Sequence, residues 1–190
     1  MKFLHVNDRP FLVSTPVVAA LTIALILPFW AGHGRLRWHP HVSAGPRPPS
    51  TVHFTFRGPS STFGGPKDTH MSRSDDLALF PTRADAQEPE VRGYFLWPPP
   101  TGITGTLRQL DPRKFYIACR WDYDKASKDR LRRSFVTVTN PKNGRSTLAK
   151  PVDWGPAAST GRAADLSPGL ADHLGLKGND PVIVTFKSSP

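Results

Sequence analysis

Val152-Asp153-Trp154-Gly155-Pro156, followed nine residues after Pro156 by Asp165-Leu166-Ser167, is the stretch whose reading decides the fold. It sets a carboxylate in a Gly-Pro turn, then a short loop, then a helix start. Asp165 or Ser167 can accept the free N–H groups of that start, and Pro168 suits its first turn. Leu170, Leu174 and Leu176 supply an apolar side, and Gly175 or Gly178 can end the helix. Val182, Ile183, Val184 and Phe186 then read as a closing strand.

Upstream, Phe115 to Cys119 and Ser134 to Thr139 are further strand candidates. Gly64-Gly65-Pro66 is a turn signal. Thr82 to Pro100 contains Pro and acidic residues and reads as an insertion. Within it Tyr94-Phe95-Leu96-Trp97 is an apolar strand candidate stopped by three prolines. Val52 to Phe56 alternates and predicts a short strand added at an edge. No internal repeat is evident.

Thr137-Val138-Thr139-Asn140-Pro141-Lys142-Asn143-Gly144-Arg145-Ser146, with Val152 to Pro156, Gly161 to Ser167 and Leu174-Gly175, resembles the double-psi β-barrel of rare lipoprotein A and the expansins. That family runs V-x-V-T-N-x-x-N-G-R, then N-D-R-G-P, then R-V-I-D-L-S and a short helix. Its opening A-S-W-Y-G strand is similar to Ser61-Thr62-Phe63-Gly64-Gly65-Pro66, which implies that the domain begins near Ser61 and that Met71 to Leu79 follows as a loop closing back over it. The resemblance implies an all-β, six-stranded double-psi barrel with one short helix, spanning 61–190 and interrupted by an insertion around 81–114. Residues 1–32 precede it as an apolar helix, a signal peptide or signal anchor, and 33–60 as a Pro- and Arg-rich linker.

The apolar run from Phe11 to Ala31 is long enough to span a bilayer, and Lys2 and Arg9 precede it. Arg35 and Arg37 follow it, so charge alone does not orient the segment. The resemblance places the barrel outside: anchored to the inner membrane through residues 11–31 with the barrel in the periplasm, or secreted there.

The chain carries a formal net charge of +10 in 190 residues, with a sequence pI near 10.3. Much of it lies in the linker and in the run Arg120 to Arg133. This suits a solvated face, an acidic polymer or an anionic surface. No nucleic-acid partner is expected, because aromatics are not interleaved with the basic residues as a stacking platform requires. Cys119 is the only cysteine, which excludes an intrachain disulfide and suits a small buried side chain. His39 and His41 lack further ligands at metal spacing, so no metal and no cofactor are expected. P-loop, G-x-S-x-G, H-E-x-x-H and paired C-x-x-C motifs are absent from the sequence.

The resemblance implies two activities. One is binding of peptidoglycan or another cell-wall polysaccharide, with weak or no catalysis and room for an envelope protein partner. The other is lytic transglycosylation, in which one buried carboxyl serves as acid and base. Asp153 matches the D of N-D-R-G-P and is the candidate acid/base; it reads equally as an Asx-turn residue. Asp75 and Asp76 occupy the loop where the family places a glutamate. Asp165 reads as a helix cap. Trp154 and Trp121 are candidate sugar-stacking or core residues. Asp122 and Arg162 complete the candidate ligand-binding set. The chain departs from the family at Val152, Trp154 and Cys119, where asparagine, arginine and histidine are expected, and these departures favour binding over catalysis.

Overall fold

The computed structural model describes residues 52–188; the expected apolar segment and most of the linker lie outside them. Nine elements follow in order: β1 (Val52–Thr62), α1 (Arg83–Ala86), β2 (Tyr116–Cys119), α2 (Lys128–Arg133), β3 (Val136–Thr139), β4 (Ser146–Asp153), β5 (Ala164–Leu166), α3 (Pro168–Leu174) and β6 (Pro181–Ser188). Among the described residues no helix is long and apolar enough to cross a membrane.

The six strands close into a barrel in the order β1-β5-β2-β4-β3-β6. β1 changes partner along its length. Val52 to Pro59 run antiparallel to β6, and Ser60 to Thr62 run parallel to β5. β4 does the same: Ser146 to Ala149 run antiparallel to β3, and Lys150 to Asp153 run parallel to β2. Exchanging β1 with β4, β2 with β5 and β3 with β6 reproduces every pairing and its sense. The two halves are therefore related by the hydrogen-bonding pattern although the sequence shows no repeat.

Sequence explains the later half locally. In α3, Ser167 Oγ accepts the Leu170 amide at 3.1 Å, Pro168 takes the first turn, and Gly175 (φ 69°) ends the helix in the left-handed conformation. Leu170 and Leu174 are fully buried. The cap is Ser167, and Asp165, expected as a cap, lies in β5. In the β3–β4 hairpin, Asn140 and Asn143 each donate a side-chain N–H to the Leu174 carbonyl at 3.0 Å. Their oxygens accept the Lys142 and Arg145 amides. The two asparagines thus fold the turn and satisfy a helix-end carbonyl that otherwise lacks a partner.

The barrel begins earlier than the sequence suggested. Residues 52–60, expected as linker and edge strand, form the first part of β1, where Phe54 stacks on Phe186 of β6 at 4.7 Å. The segment 81–114, expected as an insertion, contributes Ala86, Val91, Phe95, Leu107 and Leu110 to the core. Tyr94 to Trp97 is not a strand: a 3-10 turn spans Arg92–Tyr94, and Phe95 makes one isolated bridge to Leu110. α1 starts with a capping box between Thr82 and Asp85. Arg132 of α2 holds it from outside, donating to the Leu79 carbonyl at 2.6 Å, to Glu88 at 3.1 Å and to Asp85.

The 71–79 loop does close over the barrel, with Leu77 and Leu79 buried. It is pinned where its backbone meets residues 104–107: the Gly105 amide donates to the Arg73 carbonyl at 2.8 Å and the Leu107 amide to the Asp75 carbonyl at 3.1 Å. A Cβ on Gly105 would stand 2.2 Å from the Asp75 carbonyl oxygen. Gly105→Ala is expected to destabilise the fold by on the order of 1–3 kcal/mol by forcing these backbones apart. Gly93→Ala, with nothing within 4 Å, should stay within about 0.5 kcal/mol of wild type. Urea midpoints of the two variants check this; equal midpoints would mean that the close approach is not required.

Candidate functional site

Asp153 ends β4 at a bulge. Ile117 pairs with Pro151 and Ala118 with Asp153, so Val152 is passed over. The slip has two consequences. The Val152 carbonyl is freed to accept the Leu79 amide at 3.2 Å. Asp153 comes into register with Ala118, and Ala118 is in register with Asp165, which in turn faces Ser61 on β1. Side chains directly opposite one another share a face. One row across four strands therefore carries Asp153, Ala118, Asp165 and Ser61. The two carboxylates sit two strand spacings apart, about 10 Å between backbones, with only a methyl group between them. The Ser61 hydroxyl donates to Asp165.

The Asp153 carboxylate is half-buried, and one oxygen accepts the Ala78 and Trp154 amides, each at 2.9 Å. Burial raises its pKa above the usual carboxylate value; the two amide bonds oppose this, and the charges of Asp165 and Asp75 add to it. A carboxyl held toward its protonated form, beside other carboxylates, can give and take a proton closer to neutrality than a solvated one.

The remaining candidates separate into distinct roles. Asp75 lies near enough for its charge to act on Asp153, while its carboxylate accepts the Ser72 amide at 2.7 Å. Asp76 is turned to other work: it accepts the Thr106 amide at 3.0 Å and staples the loop to the 104–107 segment. Trp154 is 46% exposed, with its indole N–H donating to the Trp121 carbonyl at 3.2 Å, so its ring is anchored at one edge and open on a face. Trp121 is 7% exposed and edge-on to the exposed ring of Tyr123 at 6.0 Å. It is a core residue beneath Trp154 and offers no stacking face. Asp122 accepts the Asp124 amide and pairs with Lys125 at 3.4 Å, which makes it a loop-forming residue.

Arg162 stands apart from Asp153, lining a groove of about 520 Å³ with Ser61, His70, Met71 and Asp165. The Arg120 guanidinium holds the backbone here, donating to the carbonyls of Arg162 at 3.0 Å and Pro156 at 3.3 Å while lying over Phe56. Arg120 and Arg132, read from sequence as part of a solvated basic run, are both internal clamps. Cys119 is fully buried, and burial pushes its thiol up to about 12 despite the neighbouring Arg120. It stays a thiol at neutral pH and cannot take over the proton traffic of a histidine. Among the described residues no group of His, Cys, Asp or Glu is placed to hold a metal.

Asp165 was not assigned to the site from sequence. Asp165 escaped because β5 is only three residues long; its one signal is the alternation Ala-Asp-Leu, buried on either side of a half-buried carboxylate.

Two consequences can be measured. Because the folded state holds the Asp153 proton more tightly than the unfolded chain, that stabilisation is full below pH 3.8 and is lost as pH rises through the raised pKa. Asp153→Asn keeps an oxygen for the two amides without the charge. Its thermal midpoint should equal or exceed that of wild type at pH 7, with the gap closing toward acid pH; a gap independent of pH would remove the desolvated charge as its cause. Cys119 should resist alkylation in the native protein and react once urea unfolds it. No protein-family model and no curated protein sequence matches the chain.

Proposed function

We propose that this chain is a cell-envelope protein, exported or anchored through residues 11–31, whose barrel is of the double-psi kind and binds peptidoglycan or another wall glycan with weak or no catalysis. The mid-strand partner changes of β1 and β4 and the exchange relation between the halves support the double-psi reading. The observation that carries the functional reading is the half-exposed Trp154 ring fixed at one edge beside the half-buried Asp153. An aromatic face takes the apolar face of a pyranose ring, and a carboxylate next to it takes the ring hydroxyls. The net positive charge favours approach to an acidic polymer.

A second reading, lytic transglycosylation with Asp153 as acid/base and Asp75 assisting, is favoured by the raised Asp153 pKa and by the neighbouring carboxylates. The binding reading is preferred because Cys119, where the family has its histidine, is buried and protonated.

Full-length protein incubated with purified sacculi tests both. Co-sedimentation without release of anhydro-muropeptides is the expected result; their release, abolished in Asp153→Asn, would establish the enzyme instead. Trp154→Ala should weaken sacculus binding by roughly threefold to tenfold while changing stability by less than about 1 kcal/mol. Unchanged binding in that folded variant would end the stacking account.

A further inference from the structure

The row of site residues does not stop at Asp165. Beyond it, on the β1 side, lies the groove lined by Arg162, and a second hollow of about 490 Å³ adjoins it, sharing Thr62, Phe63 and His70. The two form one trench flanking the segment that leaves β1. Its walls are mainly apolar, from Phe63, Pro66, Pro112 and Pro168, with Lys67 and Arg162 as the cationic groups along it.

Two carboxylates also line the trench, and both are occupied by the chain itself. Asp165 receives the Ser61 hydroxyl. Asp68 folds its own loop, accepting the Gly64 amide at 2.7 Å and the His70 amide at 2.9 Å. Arg162 differs. Its backbone is held on both sides, its amide donating to Thr160 Oγ at 3.2 Å and its carbonyl accepting from Arg120. Its guanidinium forms no ion pair among the described residues. A half-buried arginine with a fixed backbone and no ion pair among the described residues, at the edge of a groove, is suited to a planar anion that accepts two parallel N–H bonds.

We propose that Arg162 is a specificity-determining residue that selects a carboxylate-bearing sugar unit in a glycan of which another unit, further along the chain, stacks on Trp154. The inference rests on the glycan-binding reading above and adds to it the charge of the ligand. The polymer runs from the exposed Trp154 ring to the groove at Arg162. The apolar trench walls cover the ring faces, and the guanidinium pairs with the acid. Neutral chains of the same length keep the stacking contact and lose the ion pair.

The test uses full-length protein and two soluble probes of equal length, a neutral chito-oligosaccharide and an oligo-uronate, titrated calorimetrically at fixed ionic strength. Wild type should bind the oligo-uronate about tenfold or more tighter than the neutral chain. Arg162→Gln should bring the two affinities together by weakening only the uronate, and Arg162→Lys should restore part of the difference. Trp154→Ala should weaken both probes alike. Equal wild-type affinities, or a preference that survives Arg162→Gln in a folded protein, would overturn the selection while leaving glycan binding intact. Binding of neither probe, together with no binding to sacculi, would overturn the glycan reading and this inference with it.

Discussion

β1 and β4 each have to satisfy two different neighbours, and the rest of the barrel depends on that hydrogen-bonding constraint. A strand whose backbone groups faced one partner along its whole length would leave the sheet open at an edge, with unpaired N–H and C=O groups exposed. The change of partner midway along both strands removes the edges and closes the sheet on itself. It also brings three-residue β5 and four-residue β2 between the two parallel segments, at the centre of the barrel wall. The row from Ser61 to Asp153 lies across that centre. The candidate site is therefore a by-product of closure: the carboxylates of β4 and β5 share a face because closure of the wall puts their strands in register with β2.

The Val152 bulge refines this placement. Pro151 has no amide to give to the ladder, and the slip one residue later hands the Val152 carbonyl to Leu79 and turns Asp153 into the row. The same carboxylate then ties down the loop through Ala78. Asp153 is thus both a fastener and a strained charge, since burial and two acidic neighbours disfavour its ionised form while its amide bonds favour it. A residue serving only the turn would gain from solvation.

Several elements were legible before any coordinates, some of them for a local reason. Ser167, Pro168 and Gly175 bound α3 because capping and φ preferences act within one turn. β6 follows from its run of β-branched and aromatic residues, whereas the hairpin asparagines and the closing loop at Leu77 and Leu79 were legible only through the family resemblance. The elements that escaped reading lack such signals. β1 contains Gly58 and Pro59 and follows a Pro-rich stretch, so its length is set by its pairing with β6 and not by its composition. Residues 81–114 look polar and broken by prolines, yet their scattered Leu, Val and Phe side chains are needed to fill the core.

By itself the sequence determined the bounds of α3 and the strands at 115–119, 134–139 and 182–186, because propensity, capping and periodicity are properties of near neighbours. The family resemblance, not a local pattern, singled out Asp153. Only the tertiary structure decided which carboxylates meet. It moved Asp165 from a cap to the partner of Ser61, set Asp76 to stapling, sank Trp121 beneath Trp154 and raised Arg162 at a groove. Those assignments depend on strand register and on which backbone groups closure leaves free, and register joins residues that no local pattern connects.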